Sequence, residues 1–195
     1  MRTAVYYLDQ DNPMEPVGAV SSALSRGEIC IIPTDTVYGI VALDGFHDAI
    51  TRIYELKQRS PEKQLIRLIG SFESVAAYTA QELPERLKRF WPGPLTVIFR
   101  ARSGGTIALR YPENRFLALL FDAIGPRALV APSANVSGGE VIHECGSLLS
   151  AFGGKVPVIV CLREAIDDRQ PSTIIDISGK KWRILRQGSV LVPLD

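Results

Sequence analysis

The sequence predicts an α/β domain: a twisted, open, mixed sheet with flanking helices. Short β-branched apolar runs alternate with stretches of helical spacing, and two regions offer neighbouring strands with no helix between them. No internal repeat, low-complexity tract or linker divides the 195 residues, so residues 1–195 are expected to form a single domain, with a C-terminal tail over about 188–195. Hydrophobic residues make up 46% and charged residues 22%, which suits an ordinary globular core and excludes disordered and collagen-like classes.

Ala4 to Leu8 is a short apolar run stopped by Asp9, Asp11, Asn12 and Pro13, as expected of an edge strand running into a turn. From Pro16 to Arg26, Val17, Val20, Ala23 and Leu24 recur at helical spacing, and Gly27 stands where a C-terminal cap belongs. Ile29 to Ile32 is continuous and β-branched, which predicts a strand covered on both faces. Asp48 to Lys57 puts Ile50, Ile53, Tyr54 and Leu56 on one helical stripe, followed by a basic turn through Arg59 and Lys63 and a strand over Leu65 to Ile69. Ser71 is expected to cap a helix reaching Tyr78. Pro84 opens another helix, which Trp91-Pro92-Gly93-Pro94 must end by Phe90, because proline cannot continue it. Leu95 to Phe99 and Thr106 to Leu109 read as strands joined through Gly104-Gly105. Asn114 to Ile124 reads as a helix and Ala128 to Ala131 as a buried strand. Then come a helix over Ile142 to Phe152 and strands over Val156 to Val160, Thr173 to Ile177 and Trp182 to Leu185.

Lys and Arg number 22 against 21 Asp and Glu, so affinity for a polyanion must come from local clustering of charge. Cys30, Cys145 and Cys161 are odd in number, far apart and lack a CxxC pair, which predicts a reduced, cytoplasmic protein with neither a disulfide nor a zinc site. No signal-like N-terminus occurs, and no run of roughly 18 apolar residues that would make a membrane a partner.

The chemistry is defined first by what is missing. Neither GxGxxG after a strand nor GxxxxGK[ST] is present, so no glycine-rich phosphate cradle is encoded. His47 and His143 have no ligand spacing, so no protein-ligated metal is expected, and Ser133 lacks the flanking glycines of a nucleophile elbow. Two apolar strands instead end in proline and small polar residues: Ile29 to Pro33 runs into Thr34-Asp35-Thr36, and Ala128 to Pro132 into Ser133-Ala134-Asn135-Val136-Ser137-Gly138. In open α/β sheets ligands bind beyond the carboxyl ends of strands, so both ends could line one pocket, although these residues also make ordinary turns. Lys57, Arg59 and Lys63 gather at a helix end, where the dipole alone favours cations. Arg110 and Arg186 each follow an apolar strand, where a guanidinium could grip a carboxylate or phosphate bidentately or simply meet solvent.

Taken together, Pro33-Thr34-Asp35-Thr36-Val37-Tyr38-Gly39, Lys57-Gln58-Arg59, Trp91-Pro92-Gly93-Pro94-Leu95-Thr96, Ala108-Leu109-Arg110-Tyr111-Pro112, Pro132 to Gly138, Pro171-Ser172-Thr173 and Ile184-Leu185-Arg186-Gln187-Gly188 resemble the threonylcarbamoyl-AMP synthase family, of Sua5/YrdC/YciO type. The resemblance spans nearly the whole chain and implies a YrdC-like sheet with a concave basic groove. It implies an enzyme that joins L-threonine, bicarbonate and ATP into threonylcarbamoyl-adenylate with release of pyrophosphate, for the threonylcarbamoyladenosine modification of tRNA. By motif position Lys57 and Arg59 would be catalytic. Arg59, Lys63, Thr106, Ser133, Asn135 and Arg186 would bind ATP, and Thr36, Arg110, Ala131 and Ser172 would bind threonine. Mg²⁺ would be held mainly through ATP phosphates, and a tRNA threonylcarbamoyl transferase machinery would take the product. Leu68 stands where many members place a histidine near the threonine side chain, Gln64 replaces a common proline, and Lys63 a frequent asparagine. A double-stranded-RNA-binding module, a related carbamoyl-adenylating domain and a paralogue without this activity remain competing readings, and the enzyme itself could bind RNA weakly through its basic groove.

Overall fold

A computed structural model describes residues 2–8, 12–164 and 169–194. In chain order the elements are β1 (Ala4–Tyr7), α1 (Met14–Ser25), β2 (Cys30–Ile32), β3 (Gly39–Leu43), α2 (His47–Lys57), β4 (Arg67–Leu68), α3 (Val75–Tyr78), α4 (Glu85–Lys88), β5 (Leu95–Arg100), β6 (Thr106–Arg110), α5 (Arg115–Ile124), β7 (Leu129–Val130), α6 (Cys145–Phe152), β8 (Val158–Cys161), β9 (Thr173–Asp176) and β10 (Arg183–Arg186). The turn expected at Asp9 and Asp11 lies outside the described residues.

The strands form one mixed sheet in the order β1-β8-β2-β3-β7-β4-β6-β5-β9-β10. β1 is an edge strand and pairs with β8 in parallel. β5 and β6 pair antiparallel across the Gly104-Gly105 turn, where both glycines have the positive φ that favours residues without a Cβ. β3 is a strand that the sequence pattern does not signal. It pairs antiparallel with β2, Cys30 opposite Val41, and all five of its residues are buried, so it shows no alternation for a strand reading to find.

Helix ends follow local chemistry. Gly27 has a φ of 75° just past the Arg26 C-cap of α1, and the Asn114 side chain accepts a hydrogen bond from Leu117 N at 3.0 Å to start α5. Two expected starts move. Ser71 does not cap α3, whose N-cap is Ser74, and α6 begins at Cys145, which leaves His143 in the preceding loop.

The β1-to-β4 half of the sheet is covered on both faces. α1 and α5 pack on one, with Val20, Leu24, Phe116 and Leu120, and α2 and α6 on the other, with Ile53, Leu148 and Phe152. Under the other half, Leu87, Trp91, Val97, Phe99, Leu109 and Ile175 form a third cluster on one face only. Residues after β10 return to this cluster: Val192 is buried and Thr173 Oγ1 donates to Val190 O at 2.7 Å.

Cys145 and Cys161 form a disulfide with their Cα atoms 5.5 Å apart, which corrects the expectation of a chain without one. The connection after α6 folds that helix back along β8, so the start of the helix meets the end of the strand 16 residues later, a relation that CxxC spacing does not encode. Cys30 is free and buried, and burial pushes its thiol up to about 12. No helix among the described residues is long and apolar enough to cross a membrane.

Candidate functional site

The two proline-ended strand ends meet. β2 and β7 flank β3, and an antiparallel bridge joins Gly39 to Ser133, with Ile40 N donating to Pro132 O at 2.9 Å and Ala134 N to Tyr38 O at 2.7 Å. Burial raises the pKa of Tyr38, whose hydroxyl accepts Leu162 N–H at 2.9 Å. The pocket, about 310 Å³, extends from there across the face of the sheet that no helix among the described residues covers. Strand alternation explains its floor: Leu109, Val97 and Ile175 face the third cluster, so Ala108 and Arg110 of β6, Ile98 of β5 and Ile174 of β9 face the pocket. Sequence reasoning found the strand ends and missed this apolar floor, because its residues lie on three strands distant in sequence.

Arg110 is the centre of the polar arrangement. Its Nη1 donates to Thr36 Oγ1 at 2.9 Å, and its Nη2 to Asp35 Oδ1 at 2.9 Å and Thr34 Oγ1 at 3.4 Å. Burial lowers its pKa and the Asp35 carboxylate opposes that shift. A two-pronged grip through the terminal nitrogens is therefore already taken by the protein. Among the described residues, Arg110 Nε is the buried side-chain atom left without a hydrogen-bond partner.

Across the pocket, Arg186 Nε donates to Ser172 O at 2.9 Å and Nη2 to Ser172 Oγ at 3.1 Å, while Ser172 Oγ and Thr96 Oγ1 lie 2.8 Å apart. Burial and the Arg110 charge both lower the Arg186 pKa, which shows two guanidinium groups sharing one field. Lys57, Arg59, Arg110 and Arg186 all line the pocket, and among the described residues no acidic side chain does. Such a wall favours an anion.

Thr36, Lys57, Arg59, Arg110, Ala131, Ser133, Ser172 and Arg186 thus share one pocket, whereas Lys63, Thr106 and Asn135 are not in its lining. Lys63 is exposed and offers its carbonyl to Arg59 Nε at 3.1 Å. Thr106 opens onto a neighbouring cavity, and its hydroxyl and carbonyl are bonded by the Gln64 amide at 3.2 and 2.7 Å. Asn135 is buried, and its amide is spent within its own loop on Ser133 Oγ and Gly139 O.

Lys57 lies in the core: it is 2% exposed, because the last turn of α2 is covered by the 133–139 loop, and its Nζ donates to Ser133 O and Asn135 O. Leu68 does not line this pocket. It is 1% exposed in the cluster beneath α1 and α5, since β4 has by then passed under those helices. Asp35 and Thr96 carry no role that the sequence alone shows. Their chemistry is visible only once Arg110 and Ser172 are seen beside them.

Residues 22–188 match the family model Sua5_yciO_yrdC, described as Telomere recombination. The threonylcarbamoyl-AMP synthase of Pyrococcus abyssi (strain GE5 / Orsay) is 34% identical over 180 residues, covering 86% of this chain and 52% of that protein. The threonylcarbamoyl-AMP synthase of Enterobacter sp. (strain 638) is 30% identical over 186 residues, covering 86% of this chain and 96% of that one. The chain spans about half the length of the first relative and nearly all of the second. The crystal structure of P. abyssi Sua5 complexed with L-threonine matches with a TM-score of 0.84 at 28% identity, covering 95% of this chain and 58% of that chain. The crystal structure of E. coli YciO matches with a TM-score of 0.82 at 18% identity, a likeness of fold.

Proposed function

The chain belongs to the Sua5/YciO/YrdC family, and from that premise we propose that it is a nucleotidyltransferase: its pocket joins L-threonine, bicarbonate and ATP into threonylcarbamoyl-AMP and pyrophosphate. The observation that carries this reading is Arg110 Nε, a buried donor without a partner in a pocket walled by four cations and, among the described residues, no carboxylate. A buried donor left unpaired costs about 1–3 kcal/mol, and a carboxylate oxygen from an amino acid would satisfy it. Threonine is favoured within that class because the hydroxyls of Thr36 and Ser172 stand beside the two arginines, and because the P. abyssi relative is described in complex with L-threonine.

In the reaction the threonine amine takes up carbon dioxide derived from bicarbonate to form a carbamate. The carbamate oxygen attacks the α-phosphorus of ATP, and pyrophosphate leaves. No protein nucleophile is needed, so the chain's contribution is positioning and electrostatic stabilisation of a crowded anionic transition state. Arg110 and Ser172 hold threonine over the apolar floor. Arg59, Arg186 and the Ser133 loop hold the nucleotide, so dispersed cations and hydroxyls replace a glycine-rich cradle. The same donor chemistry fits phosphate oxygens better than a metal ion, so Mg²⁺ would arrive on the ATP phosphates and supply charge neutralisation there. The mixed anhydride formed is an activated carbamoyl donor, which a tRNA threonylcarbamoyl transferase machinery would consume. Isotopic label supplied as bicarbonate should appear in an adenylate of the expected mass only when threonine is present. Label-free adenylate would refute the proposal.

A further inference from the structure

Lys57 ends α2 with its ammonium buried, yet no carboxylate faces it among the described ion pairs. An ammonium has three hydrogens and no acceptor. All three are accounted for: Nζ donates to Ser133 O, to Asn135 O at 2.6 Å and to Asn135 Oδ1 at 3.3 Å. The backbone closes the same joint, since Ser137 N donates to Lys57 O at 2.8 Å. Oδ1 of Asn135 also accepts from Ser133 Oγ at 2.6 Å, and this double demand for an acceptor turns the amide so that Nδ2 donates to Gly139 O at 2.7 Å. A cation surrounded by loop oxygens in this way acts as an internal clamp, as a bound metal ion does in other loops. Nothing is left on Nζ to offer a phosphate without breaking that set.

We propose that Lys57 is a positioning residue: its ammonium fixes the Ser133–Gly139 loop to the end of α2, so that Ser133 is presented to the nucleotide at the pocket wall while the buried Asn135 amide holds the loop's shape, and its charge acts on a bound anion without contact. This rests on the ATP-site reading, which label incorporation by the unaltered protein tests separately.

The test is a double-mutant cycle read on ATP affinity and on kcat/KM for ATP, comparing Lys57→Met, the Ser133→Ala/Asn135→Ala pair and the triple variant. Lys57→Met should weaken the wild-type background by between about ten- and a hundredfold, the scale of a misplaced site, and leave threonine affinity unchanged. In the background without the two loop side chains the same change should cost less than about twofold, because what Lys57 positions has gone. Equal losses in both backgrounds would overturn the proposal in favour of direct phosphate contact. A parallel loss of threonine affinity would overturn it in favour of a general structural role. A complex of the unaltered protein with a non-hydrolysable ATP analogue decides the matter even if Lys57→Met does not fold. Nζ should stay on the carbonyls of Ser133 and Asn135, and its transfer to a phosphate oxygen would refute the clamp.

Discussion

Arg110 Nη2 lies 2.9 Å from Asp35 Oδ1, and with side chains only 6% and 8% exposed they form the most buried ion pair among the described residues. Removing an arginine from water is costly, and a carboxylate held beside it offsets that cost while leaving one edge of the guanidinium unspent. The pair therefore explains how a permanent cation can wait under the pocket with Nε free for a ligand.

Truncating one partner strands the other. Asp35→Ala should lower the unfolding free energy by about 3–5 kcal/mol, read from the denaturant midpoint. An unchanged midpoint would show that Thr34 and Thr36 suffice to hold Arg110.

Arg59 is half-buried at the rim, with Nε and Nη2 on the carbonyls of Lys63 and Gln64 at 3.1 and 3.0 Å, which leaves Nη1 to the pocket. Arg59→Ala should raise the barrier to threonine-dependent pyrophosphate formation by about 2–4 kcal/mol with little change in melting temperature. Near-normal turnover would reduce Arg59 to a brace for the turn after α2.

Burial, reinforced by the Arg59 charge, brings Lys57 from an ordinary 10.5 down to about 8. Between about pH 8 and 10.5 the unfolded chain carries a proton that the folded chain has released, so the Lys57 contribution to stability rises with pH across that window. Activity should move the opposite way, because the pocket loses a positive charge as Lys57 deprotonates. In wild type kcat/KM for ATP should fall above about pH 8, and Lys57→Met should lack that limb. A flat wild-type profile through this range contradicts the assignment.

The hydroxyls of Thr36 and Ser172 make the pocket a reader of a substrate hydroxyl, and Leu68, being in the core, does not dilute that reading. Serine loses only a methyl contact, worth about 1–3 kcal/mol, whereas valine sets a methyl against the Thr36 and Ser172 hydroxyls, and a site that bonds a substrate hydroxyl can reject its absence by a factor of about 10⁴. Serine should outperform valine in pyrophosphate release at equal concentration. Valine matching serine would mean that shape alone is read.

Local rules made much of the fold legible. Gly27, Asn114 and Gly104-Gly105 punctuate α1, α5 and the β5–β6 turn where their backbone freedom and capping chemistry say they should. β3 was invisible because burial on both faces erases alternation, and the Cys145–Cys161 bridge because it depends on how α6 folds back on β8. The site divides in the same way. Hydroxyls and arginines after strands were legible from motif order, yet Lys57 read as a surface cation because an i, i+4 pattern does not show a loop 76 residues away closing over it. Asp35 and Thr96 needed their long-range partners Arg110 and Ser172 before they had any role to read.

If this pocket couples an amino acid, bicarbonate and ATP, the purified chain should release pyrophosphate in a way that depends on each of them. Pyrophosphate is measured with threonine and bicarbonate each present or withheld. Release is expected only when both are supplied together with ATP, and is expected to be lost in Arg110→Ala. Release that ignores threonine or bicarbonate, or none at all under full supply, would contradict that coupling.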